Sequence, residues 1–126
     1  MKPVVYDAGV LIAADRNVRR VWAEHRRRLE AGLAPLVPAP VVAQASRSPA
    51  QAQMRRFLRG CEVVAFAEAD AHQAGGLLGK SRTRDVADAS VAALAIQHQA
   101  EVVSDDSADI VRLLRAVGSK LAVRPV

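Results

Sequence analysis

The sequence predicts an α/β domain built on a mostly parallel sheet, and three observations carry that reading. Short apolar runs alternate with segments of helical spacing from one end of the chain to the other, the pattern of strands joined by crossover helices. The 126 residues are 51% apolar but only 3% aromatic, so the core is expected to consist of Val, Leu, Ile and many Ala, with Ala-rich helices lying close on the sheet. The first apolar run, Val4-Val5-Tyr6, ends in Asp7 and passes at once into small and apolar residues. That reads as a buried strand, a tight turn through Ala8 and Gly9, and the start of a helix. In open α/β sheets ligands sit at the carboxyl ends of strands, where strand order reverses. Asp7 therefore stands where a ligand-holding acid is expected, and it would equally serve as the cap of the helix that follows.

Residues 8–14 are expected to form that short helix. Residues 18–31 form a second, with Trp22 and Leu29 on one side and the basic run Arg26-Arg27-Arg28 on the other. Gly32 ends it, because a left-handed residue is favoured just past a helix terminus. Leu36-Val37 is a short strand framed by Pro35 and Pro38. Pro40 suits a first helical turn, where its missing N–H has no partner to lose, and the helix runs over residues 41–46. Ser48-Pro49 is expected to restart the chain, with Ser48 as N-cap and Pro49 at the first position of a helix that carries Arg55, Arg56 and Arg59 and ends at Gly60. Residues 63–66 form a third strand and residues 68–78 another helix. Its Gly75-Gly76 pair costs about 1 kcal/mol per Gly against Ala, so a close contact or a bend is expected there. Residues 79–84 form a basic loop. Asp85 caps the longest helix, residues 86–99, whose Ala-rich stretch 87–95 is expected to be deeply buried. Residues 101–104 form a fourth strand, Ser107 opens a last helix that stops near Gly118, and residues 121–123 form a strand at an edge. No repeat, linker or low-complexity segment divides the chain, so residues 1–126 are read as a single domain.

The net charge is +5, and of the 18 Lys and Arg only Lys2, Lys80 and Lys120 are Lys. Guanidinium groups grip phosphate in a bidentate way and stack on bases, which is compatible with nucleic acid; an Arg- and Ala-rich composition also follows from GC-rich coding. Cys61 is the single cysteine, which rules out an intramolecular disulfide and fits a reducing compartment. The first apolar run is short and broken by Asp7, unlike a signal peptide. No stretch approaches the ~18 apolar residues of a membrane span. A cytoplasmic location is expected.

The chemistry is expected from aspartates at special places. Asp7 ends the first strand. Asp85 and Asp88 open the long helix, three residues apart and so on one face. Asp105, Asp106 and Asp109 follow the fourth strand directly. If strands one and four are neighbours, these groups converge in one crevice. Clustered carboxylates repel one another unless a cation sits among them, and oxygen donors without Cys or His point to Mg²⁺ or Mn²⁺. Such an ion activates water and stabilises charge on a phosphoryl oxygen. Asp85 also reads as a helix N-cap, Asp88 as the acid of a capping arrangement, and Asp109 as a first-turn acid. His25, His72 and His98 have no metal-ligand spacing, Cys61 has no partner nearby in sequence, and no phosphate loop or serine elbow is present.

With these motifs in place the chain resembles a PIN domain, and in particular the VapC-type toxins of bacterial toxin–antitoxin pairs. The likeness covers nearly the whole length. It rests on VVYDAGVLIA with Asp7, on VPAPVVAQASR after the Pro-framed strand, on DVADASVAALA with Asp88, and on VVSDDSADI, where Ser104, Asp106 and Asp109 match the family's hydroxyl and acidic positions. The resemblance implies a three-layer α/β/α sandwich with a four- to five-stranded sheet. It implies a Mg²⁺- or Mn²⁺-dependent endoribonuclease acting on cellular RNA, a homodimer, and silencing by a cognate VapB-like antitoxin. Asp7, Asp88 and Asp106 would hold the ion, with Asp109, Asp85, Asp105 and Ser104 as secondary candidates. Arg47, Arg82 and Arg84 would touch RNA.

Two positions depart from the family pattern. Gln44 occupies the place of the usual second acid, where it would hold water or touch the metal through its amide oxygen. Gly9 replaces a common Ser or Thr. These departures also admit a second class of function, a PIN-like module that binds RNA or protein without cutting. A phosphoacceptor receiver domain fits less well, since Asp7 stands without an adjacent acid and Lys120 precedes the final strand.

Overall fold

The computed structural model describes residues 2–126. In chain order the elements are β1 (Val4–Tyr6), α1 (Ala8–Asp15), α2 (Arg19–Glu30), β2 (Leu36–Pro38), α3 (Ala39–Ala45), α4 (Ala52–Leu58), β3 (Glu62–Val64), α5 (Glu68–Ser81), α6 (Val86–His98), β4 (Glu101–Val103), α7 (Ser107–Ala116) and β5 (Val123–Arg124). The five strands form one sheet in the order β3-β2-β1-β4-β5, parallel throughout. Helices flank it on both sides, so the α/β/α layering is as expected. The chain builds outward from β1 to β3 and then returns to lay β4 on the other side of β1. The strand order thus reverses between β1 and β4, the two strands whose ends carry the acids.

The register places Val4 opposite Glu101, Val5 opposite Val102 and Tyr6 opposite Val103. These strands are buried almost completely, as continuous apolar runs in a parallel sheet must be. Helix α6 lies against β1, β2 and β4, and every residue from Ala87 to Ala95 is buried. Small side chains let it be enclosed by the sheet and by α3, α5 and α7 together. Behind Tyr6 a compact aromatic group closes the core. Phe57 stacks on His25 at 3.9 Å between centroids and meets Trp22 edge-on at 5.0 Å. Burial pulls the His25 imidazole down to about 4, so it is neutral at physiological pH. Its Nδ1 shares a hydrogen bond of 2.9 Å with the Tyr6 hydroxyl, and Arg28 donates to the same phenol oxygen at 3.1 Å.

Several elements differ from the sequence expectation. On α2 the buried residues are Val21 and His25, while Leu29 is 39% exposed. Ser48-Pro49 does not start a helix. The Gln51 side chain accepts the N–H groups of Arg47 and Ser48 and donates to the Ala45 carbonyl, and Ser48 Oγ accepts from Ala50, which together make a turn. Helix α4 begins at Ala52 and is capped from a distance, with Asp15 of α1 accepting the Met54 N–H at 3.2 Å. Helix α5 runs on through Ser81, three residues past the expected end, and Arg82 closes it in the left-handed conformation at φ 58. Strand β3 starts one residue earlier than expected and β5 two residues later, each fixed by pairing with its inner neighbour. No helix among the described residues is long and apolar enough to cross a membrane.

Of the close contact or bend expected at Gly75-Gly76, the close contact is absent: a Cβ at Gly75, Gly76 or Gly79 would meet nothing within 4 Å. Gly75→Ala and Gly76→Ala are each expected to stabilise the protein by about 1 kcal/mol in urea unfolding, through reduced chain entropy in the unfolded state. A loss of stability in both variants would mean that another surface covers this helix face.

Candidate metal centre

The site is built by three helix starts that meet at the carboxyl edge of β1 and β4. Asp7 follows β1 directly, and its backbone N–H bonds to the Val103 carbonyl of β4 at 3.0 Å. This places Asp7 beside Ser104, the residue after β4. Ser104 is fully buried. Its hydroxyl donates to Asp7 Oδ2 at 2.7 Å and accepts the Asp106 N–H at 2.8 Å, tying the end of β1 to the start of α7. Asp7 Oδ1 accepts the Ala8 N–H, so Asp7 also caps α1. The capping reading of Asp7 is thus met, and both of its carboxylate oxygens accept hydrogen bonds from within the protein.

Asp85 is the N-cap of α6 and accepts the Asp88 N–H at 2.9 Å. Asp88, one turn into the helix, faces inward, where it is 3% exposed and its Oδ2 has no hydrogen-bond partner. Asp106 holds the N-cap position of α7 without a side-chain capping bond, and Asp109 lies in the first turn of the same helix. Asp88, Asp106 and Asp109 each offer a carboxylate oxygen within 4.8 Å of the others, a spacing that one cation can bridge. Asp7 lies outside that group and stands behind it, close enough to act on Asp88 and Asp106 electrostatically.

The electrostatics agree with the geometry. Burial pushes the Asp88 carboxyl up to about 8, and the negative charges of Asp7, Asp85 and Asp106 add to the shift. Burial also raises Asp7, against the hydrogen bonds from Ser104 and Ala8. Asp106 is raised by desolvation and then by Asp109. None of these acids has an ion-pair partner among the described residues. The positive ends of α1, α6 and α7 offset part of the repulsion, but an unpartnered buried carboxylate oxygen remains. Oxygen donors alone, one of them orphaned, fit a hard divalent cation such as Mg²⁺ or Mn²⁺.

The other expected residues are spread more widely. Gln44 is exposed on α3 and has no side-chain hydrogen bond among the described residues, so nothing holds its amide toward the acids. Asp105 is exposed and lies over Gly9. Arg82 and Arg84 are exposed in the turn that leads to Asp85, while Arg47 turns its guanidinium back onto the Ala43 and Ser46 carbonyls at the end of α3. Sequence reasoning missed a basic cleft of about 290 Å³ lined by Arg27, Arg28, Arg124, Glu24, Val103 and Pro125. It lies next in sequence to the site, since Val103 precedes Ser104. The run Arg26-Arg27-Arg28 was its only signal in the chain.

A family profile described as PIN domain matches residues 4–113. Among solved structures, VapBC2 from Rickettsia felis bound to a promoter DNA fragment superposes with a TM-score of 0.72 at 15% identity, covering 98% of each chain. FitAcB from Neisseria gonorrhoeae gives 0.65 at 17% identity, with 96% of each chain covered. A toxin–antitoxin complex from Klebsiella pneumoniae gives 0.64 at 17% identity, covering 84% of this chain and 88% of that one. At these identities the likeness is one of fold. No curated protein matches the sequence.

Asp88 sets a pH dependence. A carboxyl raised to about 8 in the folded protein holds its proton where the unfolded chain has lost it. Stability then falls as pH rises from the unfolded value near 3.8 through about 8. In chelator, thermal unfolding should show a loss on the order of 1 kcal/mol or more between pH 5 and pH 8, and Asp88→Asn should abolish most of it. A flat profile in the parent protein would contradict the assignment.

Proposed function

The chain belongs to the PIN domain family, and from that premise we propose that residues 1–126 form one VapC-like toxin domain, a divalent-metal-dependent endoribonuclease acting on cellular RNA in the cytoplasm. The observation that carries this reading is the convergence of Asp88, Asp106 and Asp109 around an orphaned carboxylate oxygen at the reversal point of the sheet. Asp88, Asp106 and Asp109 would hold the cation, with Asp7 completing the negative field behind them. The ion supplies activation of water and stabilisation of charge on a phosphodiester. Ser104 fixes the Asp7 carboxylate and the start of α7 in one arrangement, so the carboxylates are positioned before substrate arrives. Asp85 caps α6 by accepting the Asp88 backbone N–H and so fixes the helix start that carries Asp88.

The Arg surplus supports RNA as the substrate. Arg82 and Arg84 lie in the turn that leads to Asp85, and Arg47 follows α3; all three are exposed to a polyanion. An antitoxin of VapB type and a second copy of the chain are the proposed partners, in keeping with the toxin–antitoxin complexes among the structural relatives. Gln44 favours the second reading, a binding module that does not cut, because it is neutral and unsupported on α3.

The two readings separate on total RNA incubated with purified protein and Mn²⁺. A nuclease should yield discrete fragments that vanish in chelator, and Asp88→Asn and Asp7→Asn should each lower the rate by at least about 100-fold with the fold intact by circular dichroism. Retention of RNA on the protein without fragments, in parent and variants alike, would favour the binding module.

A further inference from the structure

Gly9 is buried although it has no side chain, because the Asp105 carboxylate lies over it. A Cβ at residue 9 would overlap the Asp105 carboxyl carbon and both carboxylate oxygens. No hydrogen bond or ion pair among the described residues holds this seat: the positive end of α1 favours a carboxylate there, while Asp7 lies close enough to repel it. A flexible, exposed aspartate would ordinarily turn into solvent, away from other carboxylates. Here it lies over the first turn of α1 on the Asp7 side of the acidic centre, outside the group of Asp88, Asp106 and Asp109, in which the buried Asp88 carboxylate keeps an unpartnered oxygen.

We propose that Gly9 and Asp105 are a matched pair, in which the missing Cβ admits the Asp105 carboxylate as a further oxygen donor to the divalent cation of the acidic centre. This rests on the metal-centre reading above and deepens it by adding a residue to the donor set. The pairing assigns Gly9 a role that its backbone does not require, since it lies in ordinary helical conformation within α1. Its importance is the space it leaves. Any side chain at residue 9 pushes Asp105 off its seat and removes one negative oxygen donor from the ion.

The test is Mn²⁺ titration of the full chain, followed by calorimetry and by the loss of the free-ion electron paramagnetic resonance signal. Asp105→Asn and Gly9→Ala should each weaken Mn²⁺ binding by about 10-fold. The double variant should bind no more weakly than either single one, because both changes remove the same donor. Melting in chelator should be undiminished in Asp105→Asn, since no hydrogen bond or ion pair among the described residues holds the carboxylate there and Asp7 repels it. Binding of Mn²⁺ by Asp105→Asn as tightly as by the parent would overturn the proposal. So would additive losses in the double variant, which would give Gly9 an effect independent of Asp105. If instead the parent shows no saturable Mn²⁺ binding, or Asp88→Asn binds as well as the parent, the metal-centre reading itself fails, and the two failures are distinguishable.

Discussion

A buried carboxylate with like charges beside it must be neutralised, and that requirement at Asp88, against the exposed Asp106 and Asp109, governs this molecule more than any single packing contact. Asp88 cannot be both ionised and unpaired where it sits, so in the absence of a cation burial keeps it protonated up to about pH 8. The fold tolerates such a group because the rest of the domain supplies the stability. Alanines of α6 close against the sheet, and the Phe57, His25, Tyr6 and Trp22 cluster fills the space beside β1. The acids are held close together around one buried, unpartnered oxygen, an arrangement that fits a divalent ion.

The means of holding them are backbone means. Parallel pairing of β1 with β4 puts Asp7 and Ser104 side by side, and one buried hydroxyl links the two ends. The spacing of Asp85 and Asp88 at the start of α6 is repeated by Asp106 and Asp109 at the start of α7, an acid at the cap and another one turn on. Each helix thus delivers a carboxylate to the same point with its positive end facing it. Only a doubly wound order brings the two helix starts together, which is why the reversal at β1 matters to the chemistry.

Much of the fold is legible in the chain because its signals are local. The apolar run ending at Asp7, the Asp85 cap and the alanine stretch of α6 each announce themselves within a few residues. What is not legible depends on distant partners. The start of α4 is set by Asp15 across the core rather than by Ser48 and Pro49 beside it. The limits of β3 and β5 follow from the strands they pair with. In the candidate site, the acids can be named from their places after strands, but their grouping cannot. That Asp109 rather than Asp7 shares a cation-sized space with Asp88 and Asp106 depends on how α6 and α7 meet. The contact of Asp105 with Gly9 spans most of the chain and leaves no periodic trace in it.

A divalent ion held where α6 and α7 bring their acids together would be visible by anomalous diffraction from crystals grown with Mn²⁺. A single strong peak among the carboxylates of Asp88, Asp106 and Asp109, at about 2.0–2.2 Å from their oxygens, is the predicted result. Ordered density for all three side chains with no peak between them, or a peak bound elsewhere on the surface, would contradict it.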